Sequence, residues 1–324
     1  MLKELHIWNY RLFDELTIPD LGQVNLIAGK NNTGKTALLE ALRIWAAKGD
    51  STVVNHVLKN RGQFTPSWDE SYEQLFNQVH SAMGDNHGKL KINEVVIERH
   101  NQHYGKEIED KTIFIKRIEG MVIPSEFFGL PLDPNVNPDF PKDDSIFVPF
   151  SIQPFPLQHL WDKISLTLHE ETVLEIMRVI EPGLLRLDLR GDSSKVLLKN
   201  VPSPVSLKSL GDGFNRTLWI AVALVSAKDS ILLIDEFEAG LHHSVQEMLW
   251  EKIFFYAQKW NIQVFVTTHS MDAVRTFFYV SDKLENQGKG KFFRLQQSRK
   301  GPIEVIAYDH DRLEKMLELK MEPR

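Results

Sequence analysis

The sequence predicts an α/β fold, a mostly parallel sheet flanked by helices. Three observations predict it. The apolar run Val24-Asn25-Leu26-Ile27-Ala28 passes through a glycine-containing turn into Leu38, Leu39, Leu42, Ile44 and Trp45, which recur at helical spacing. Ile231-Leu232-Leu233-Ile234 is a continuous apolar run ending in Asp235, as in a strand buried on both faces. Around it the patterns alternate: helix over 213–227, helix over 244–259, strand over 263–267, helix over 273–279. Such alternation needs crossover connections, which set the strands parallel with helices on both faces.

The other elements follow in chain order. Residues 2–8 and 13–18 read as strands joined by Asn9-Tyr10-Arg11, and 24–28 as a third. Residues 51–88 are polar and mixed, with a helix around 72–83. Residues 89–99 and 112–117 alternate apolar and polar, the pattern of an antiparallel β subdomain. The stretch 124–141 carries five prolines and little periodicity, so it reads as a surface loop or an inter-lobe connection. Two helical patterns span 156–180, strands follow over 184–190 and 196–199, and 303–308 is strand-like. No heptad run is present, which excludes a long coiled-coil arm.

Composition narrows the function classes. The 324 residues suffice for one large domain or two smaller ones. A formal net charge of −6 means that any DNA or RNA contact needs a local basic patch or a partner. The absence of cysteine excludes disulfides, thiolate catalysis and Cys-ligated zinc, and suits a reducing cytoplasm. The longest apolar run, 218–227, is roughly half a membrane span. Met1-Leu2-Lys3-Glu4 leads straight into a strand, so neither a signal peptide nor a membrane anchor is expected.

The chemistry is concentrated in Gly29-Lys30-Asn31-Asn32-Thr33-Gly34-Lys35-Thr36, which has the form G-x-x-x-x-G-K-[ST] of a phosphate-binding loop. The glycines let the backbone curl so that successive N–H groups face a phosphate. Lys35 is placed to meet the β- and γ-phosphates, and Thr36 to offer a hydroxyl to Mg²⁺. Gly29, Asn31, Asn32, Thr33, Gly34, Lys35, Thr36 and Ala37 are therefore the expected nucleotide contacts. Helix follows loop, so the phosphate sits where free amides and the dipole favour an anion. At the end of the second apolar run, Asp235 is expected to hold Mg²⁺ beside Thr36, and Glu236 to act as general base toward water. His269, in Thr267-Thr268-His269-Ser270, reaches the γ-phosphate if its strand lies beside the Asp235 strand. Ser209-Leu210-Gly211-Asp212-Gly213 opens a helix; it is either a second anion cradle or an ordinary N-cap.

The order phosphate loop, Ser-x-Gly turn, Asp-Glu strand end and histidine resembles the ATPase heads of the ABC class. Ser209-Leu210-Gly211-Asp212 looks like their signature motif, Glu238-Ala239-Gly240-Leu241-His242 like their D-loop, and His269 like their switch histidine. Leu5-His6-Ile7-Trp8-Asn9-Tyr10-Arg11 is similar to the start of RecF and SMC-type heads, and the text around Ser209–Arg216 to the stand-alone OLD-like ATPases. The resemblance implies one head over 1–324. Its nucleotide-binding core takes 1–150 plus 228–324 with the β subdomain, and a small helical signature lobe takes 151–227. It implies an ATP-sandwich homodimer in which Lys35, Thr36, Asp235 and Glu236 of one subunit meet Ser209 and Gly211 of the other. Lys35, Glu236 and His269 would be catalytic, and Arg11 would lie near the nucleotide. Gln153 is a weak match to the glutamine loop. OLD-like proteins often continue into a TOPRIM nuclease with an Asp-x-Asp metal motif. Here only 13 residues follow Asp311, so Asp309-His310-Asp311 reads as a helix cap.

The resulting expectation is a dimeric, Mg²⁺-dependent ATPase that signals by closure to a separately encoded effector, a nuclease or toxin, in antiviral or antiplasmid defence. The alternative is a RecF-like repair clamp on duplex DNA, drawing on Lys59, Arg61, Lys89, Lys91 and Arg99. A transporter subunit fits the N-terminal pattern poorly.

Overall fold

The computed structural model describes residues 1–62, 89–102, 111–118, 121–124, 145–150, 154–190, 193–298 and 301–318. The chain opens with β1 (Leu5–Tyr10) and β2 (Phe13–Ile18), an antiparallel pair, then β3 (Val24–Gly29), the loop, α1 (Lys35–Ala46) and α2 (Ser51–Asn60). Next come β4 (Lys89–Ile92), β5 (Val95–Gln102), β6 (Lys111–Ile118) and β7 (Met121–Pro124). They extend the first pair into an antiparallel sheet of order β2-β1-β4-β5-β6-β7. Residues 89–99, expected as sheet, form the β4–β5 hairpin. Asn93 takes a φ of +49°, which asparagine tolerates, and its Oδ1 accepts the N–H of His6 at 2.7 Å.

β8 (Ser145–Val148) precedes two helices, α3 (Pro154–Ile164) and α4 (Leu168–Met177). A three-stranded antiparallel sheet follows, β9 (Leu184–Asp188), β10 (Lys195–Leu198) and β11 (Val205–Ser206). A 3₁₀ turn at Leu207–Leu210 leads into α5 (Gly211–Ser226). Then come β12 (Ile231–Ile234), α6 (His243–Lys259), β13 (Gln263–Thr268), α7 (Met271–Ser281), β14 (Gly290–Gln297), β15 (Ile303–Tyr308) and α8 (His310–Glu318).

The central sheet has the order β15-β14-β3-β13-β12-β8. Five strands run parallel, and β15 pairs antiparallel with β14. Its side chains alternate between two cores. Val24, Leu26, Leu232, Ile234, Val264 and Val266 face the helices α5, α6 and α7. Ile27, Leu233, Phe265, Phe293 and Leu295 face α1, α2 and the β1–β2 pair. That alternation follows from the two-residue period of a strand, and burial on both sides makes the runs continuously apolar. Asn25 is the polar exception in β3; its amide donates to Gly22 O and Val264 O and accepts from Gly22 N–H.

α5 packs on α3 and α4 to one side and on β8, β12 and α6 to the other. The β14 strand was not legible as one: Lys291, Arg294, Gln296 and Gln297 dilute its apolar pattern, and pairing with β3 supplies its burial. The helix expected around 72–83 and most of the proline-rich 124–141 lie outside the described residues. No described helix is long and apolar enough to cross a membrane.

Candidate functional site

β3 delivers its last residue, Gly29, into the loop, and α1 begins at Lys35. Gly34 sits at φ +87°, the left-handed region, and a β-carbon there would lie 2.6 Å from Phe13 of β2. Only glycine satisfies both demands. Thr33 Oγ1 and Lys35 Nζ both donate to Lys30 O, at 2.8 and 2.9 Å, and Lys35 Nζ also donates to Gly29 O at 2.9 Å. The ammonium thus lies across the mouth of the loop. Burial holds the pKa of Lys35 below that of a free lysine, while Glu236, Asp235 and Glu238 pull it back. Asn31 and Asn32 form the exposed tip. Ala37 turns its methyl into the core, so only its backbone N–H is open to a phosphate.

β12 lies between β8 and β13, which brings its C-terminal end to the loop. Thr36 Oγ1 donates to Asp235 Oδ2 at 3.0 Å across 199 residues of sequence. Thr267 Oγ1 donates to Asp235 Oδ1 at 2.6 Å. A hydroxyl and a carboxylate converging beside a phosphate loop form the oxygen donor set that Mg²⁺ prefers, so these residues fit the ion. Glu236 follows with φ +49°. Its N–H donates to Thr267 Oγ1 at 2.9 Å, and the next side chain, Phe237, is buried and stacks on Trp250 at 4.3 Å. Burial, reinforced by Asp235 and Glu238, raises the Glu236 carboxyl above the ordinary carboxylate range.

β13 is the neighbour of β12, so His269 arrives beside Glu236, with Nδ1 3.8 Å from its carboxylate. A nearer group grips the ring. Glu238 Oε1 lies 3.1 Å from His269 Nδ1 and accepts the His269 N–H at 2.9 Å; Glu238 Oε2 accepts Thr268 Oγ1 at 2.7 Å. The roles of Glu238 and Thr267 were not assigned from sequence, although both stand inside the segments that carry the motif.

Ser209 is exposed on the 3₁₀ turn, where its hydroxyl donates to Ser206 O at 2.7 Å. Gly211 is exposed too, at φ +79° with open space around it. The start of α5 packs on the turn after β12. A β-carbon on Gly213 would meet Gly240 O at 2.7 Å, and one on Gly240, at φ +72°, would meet Asp212 at 3.1 Å. Ser209 and Gly211 are both exposed.

Arg11 pairs with a carboxylate of α1. Its side chain is buried with Nε 3.0 Å from Glu40 Oε2 and 3.1 Å from the Tyr10 hydroxyl, and Arg61 Nε holds the other Glu40 oxygen at 2.7 Å. A basic side chain directly after a buried strand found a buried carboxylate as its partner. Glu40 in turn lines a cleft with Thr36, Arg43, Phe147, Phe150 and Asp235, so Arg11 touches the site through Glu40. Arg61, one of the basic residues named for DNA, pairs with Glu40 and stays exposed. Lys89 and Arg99 side chains, and Gln153, lie outside the described residues. Asp309 Oδ1 accepts the N–H of Arg312 at 2.8 Å, the bond of a helix cap.

Residues 1–122 match the model described as "AAA ATPase domain", and residues 200–275 the one described as "AAA domain, putative AbiEii toxin, Type IV TA system". An ATP/GTP phosphatase of Helicobacter pylori is 22% identical over 92% of this chain and 93% of its own length. Among solved structures, an SMC head bound to the C-winged helix domain of ScpA superposes with a TM-score of 0.55 at 14% identity, covering 98% of this chain and 99% of that one. The SMC head domain from Thermotoga maritima gives 0.50 at 14% identity, with coverages of 95% and 99%. The chain has the α/β fold of the SMC heads, and its two matched segments are those of ATPase domains, which with the full-length relative support ATP hydrolysis.

Proposed function

We propose that this head hydrolyses ATP as a two-fold homodimer with two shared sites and that its closure signals to a separate effector. The convergence of Thr36 and Asp235 at 3.0 Å beside the phosphate loop carries the catalytic part. ATP places its phosphates against Lys35 and the first free amides of α1. Thr36 and Asp235 would hold Mg²⁺, which would neutralise phosphate charge. Glu236 takes the proton of the attacking water; its raised pKa makes it a stronger base than an ordinary carboxylate. His269, oriented by Glu238, stands on the same side. Arg11, expected near the nucleotide, fixes Glu40 at the edge of the cleft that holds Thr36 and Asp235.

The exposed Ser209 and Gly211 support the shared site. A turn exposed at a helix N-terminus suits a phosphate presented by a second copy. In this reading residues 1–150 plus 228–324 form the core and 151–227 the signature lobe, with α5 as the seam between them. A separately encoded protein partner is supported by the SMC head solved with ScpA, and a defence role of OLD-like type by the toxin–antitoxin description of the model matching 200–275. The effector is then a nuclease or toxin, and the setting cytoplasmic.

Glu236→Gln tests the chemistry. The variant binds ATP, loses kcat by about 100-fold or more, and accumulates an ATP-dependent dimer visible by light scattering. Turnover at the parent rate would move the base elsewhere, with His269 next in line.

A further inference from the structure

Arg216 is a cation where its helix face is otherwise apolar. It lies on α5 among Phe214, Leu218, Trp219 and Ile220, and it is 1% exposed. Its guanidinium spans three main-chain carbonyls. Nη1 donates to Pro149 O at 2.6 Å, at the exit of β8; Nη2 donates to Glu236 O at 3.0 Å and to the carbonyl of Asp235. Burial lowers its pKa to about 10, which still leaves it charged at neutral pH. One side chain of the signature helix thus holds both peptide carbonyls that flank the Glu236 α-carbon.

Glu236 needs holding. Its φ of +49° lies in the left-handed region that a residue with a long side chain rarely adopts. Such a backbone persists when its surroundings over-determine it. Here Thr267 Oγ1 fixes the N–H of Glu236 and Arg216 fixes its C=O. We propose that Arg216 is a positioning residue for the catalytic base. Its fork sets the backbone of Glu236 and, through it, the direction of the carboxylate. α5 starts at Gly211, about one and a half turns before Arg216, so the aim of the base follows the position of the signature helix. The inference rests on the assignment of Glu236 as base.

A double-mutant comparison in the full chain tests it. Lysine keeps the charge of Arg216, but a single ammonium cannot reproduce a planar fork across three carbonyls. Arg216→Lys, Glu236→Gln and the double variant are compared for kcat, for Kd of a fluorescent ATP analogue and for Tm. The expected result is a kcat loss of about 10- to 100-fold for Arg216→Lys, a Kd within about twofold of the parent, and no further loss when Glu236 is already Gln. A kcat within about twofold of the parent, or the same fold-loss in both backgrounds, overturns the proposal. If Glu236→Gln itself turns over like the parent, the base assignment falls, and that result is read without any Arg216 variant. If Arg216→Lys lowers the yield of folded protein, Glu236→Gly separates the causes, because glycine adopts a positive φ without strain. Arg216→Lys should then lower Tm less in the glycine background; an equal drop in both backgrounds makes Arg216 a plain packing residue and overturns the role.

Discussion

At the residue scale, Lys35 and Glu238 do different kinds of work. Lys35 Nζ bonds Gly29 O and Lys30 O, and in the proposed reaction it meets the β- and γ-phosphates. Lys35→Ala should abolish ATP binding, measured by equilibrium titration of a fluorescent nucleotide; affinity near the parent value would remove the loop from the site. The two oxygens of Glu238 hold Thr268 Oγ1 and the backbone and ring of His269. Glu238→Ala frees the ring. We expect kcat to fall roughly 10- to 100-fold with ATP affinity unchanged, the signature of a lost orientation. Equal losses in kcat and in affinity would assign Glu238 to the fold instead.

At the element scale, the contact between the N-terminus of α5 and the turn after β12 joins the signature segment to the catalytic strand. Gly240→Ala places a β-carbon 3.1 Å from Asp212 at a φ of +72°. The strain costs about 1 kcal/mol, roughly 2 °C in Tm for a chain of this size, and the displaced Asp212–Gly213 carries Ser209 and Gly211 with it. ATPase activity should therefore fall by more than the small Tm change explains; an active variant with lowered Tm would show that the two turns merely pack. The last helix offers a contrasting case. Asp309→Ala removes the bond to the Arg312 N–H, costs about 1 kcal/mol of stability in thermal melts, and leaves ATPase activity at the parent level. A loss of metal-dependent activity in that variant would restore the Asp-x-Asp as a metal site.

At the scale of the whole molecule, the exposure of Ser209 and Gly211 makes subunit mixing the decisive experiment. Ser209→Arg should spare nucleotide binding and destroy turnover, since in the proposed dimer the residue meets a phosphate of the other copy. Mixed dimers of Ser209→Arg with an excess of Lys35→Ala contain one site with Lys35 from the first chain and Ser209 from the second. That site is intact, and the other carries both defects. ATPase should reappear on mixing two nearly dead proteins. If mixed dimers form and stay inactive, Ser209 caps its own helix and the head works alone.

The loop and its helix were legible because their requirements are local. Gly29, Gly34, Lys35 and Thr36 meet backbone and charge demands within eight residues, so the motif reads the same before and after folding. The Asp235-Glu236 strand end was legible for the same reason, as was the alternation that places strands in parallel. Sheet order was not local. Only the tertiary structure sets β12 between β8 and β13, and that adjacency puts Asp235 against Thr36 and His269 beside Glu236. It also decided which carboxylate each cation meets. Arg11 went to Glu40, one of the few buried carboxylates in reach, and Arg216 went to three carbonyls that sequence keeps as much as 67 residues away. A buried charge takes whatever partner the packing offers, because leaving it unpaired is costly, and packing is a property of the assembled chain.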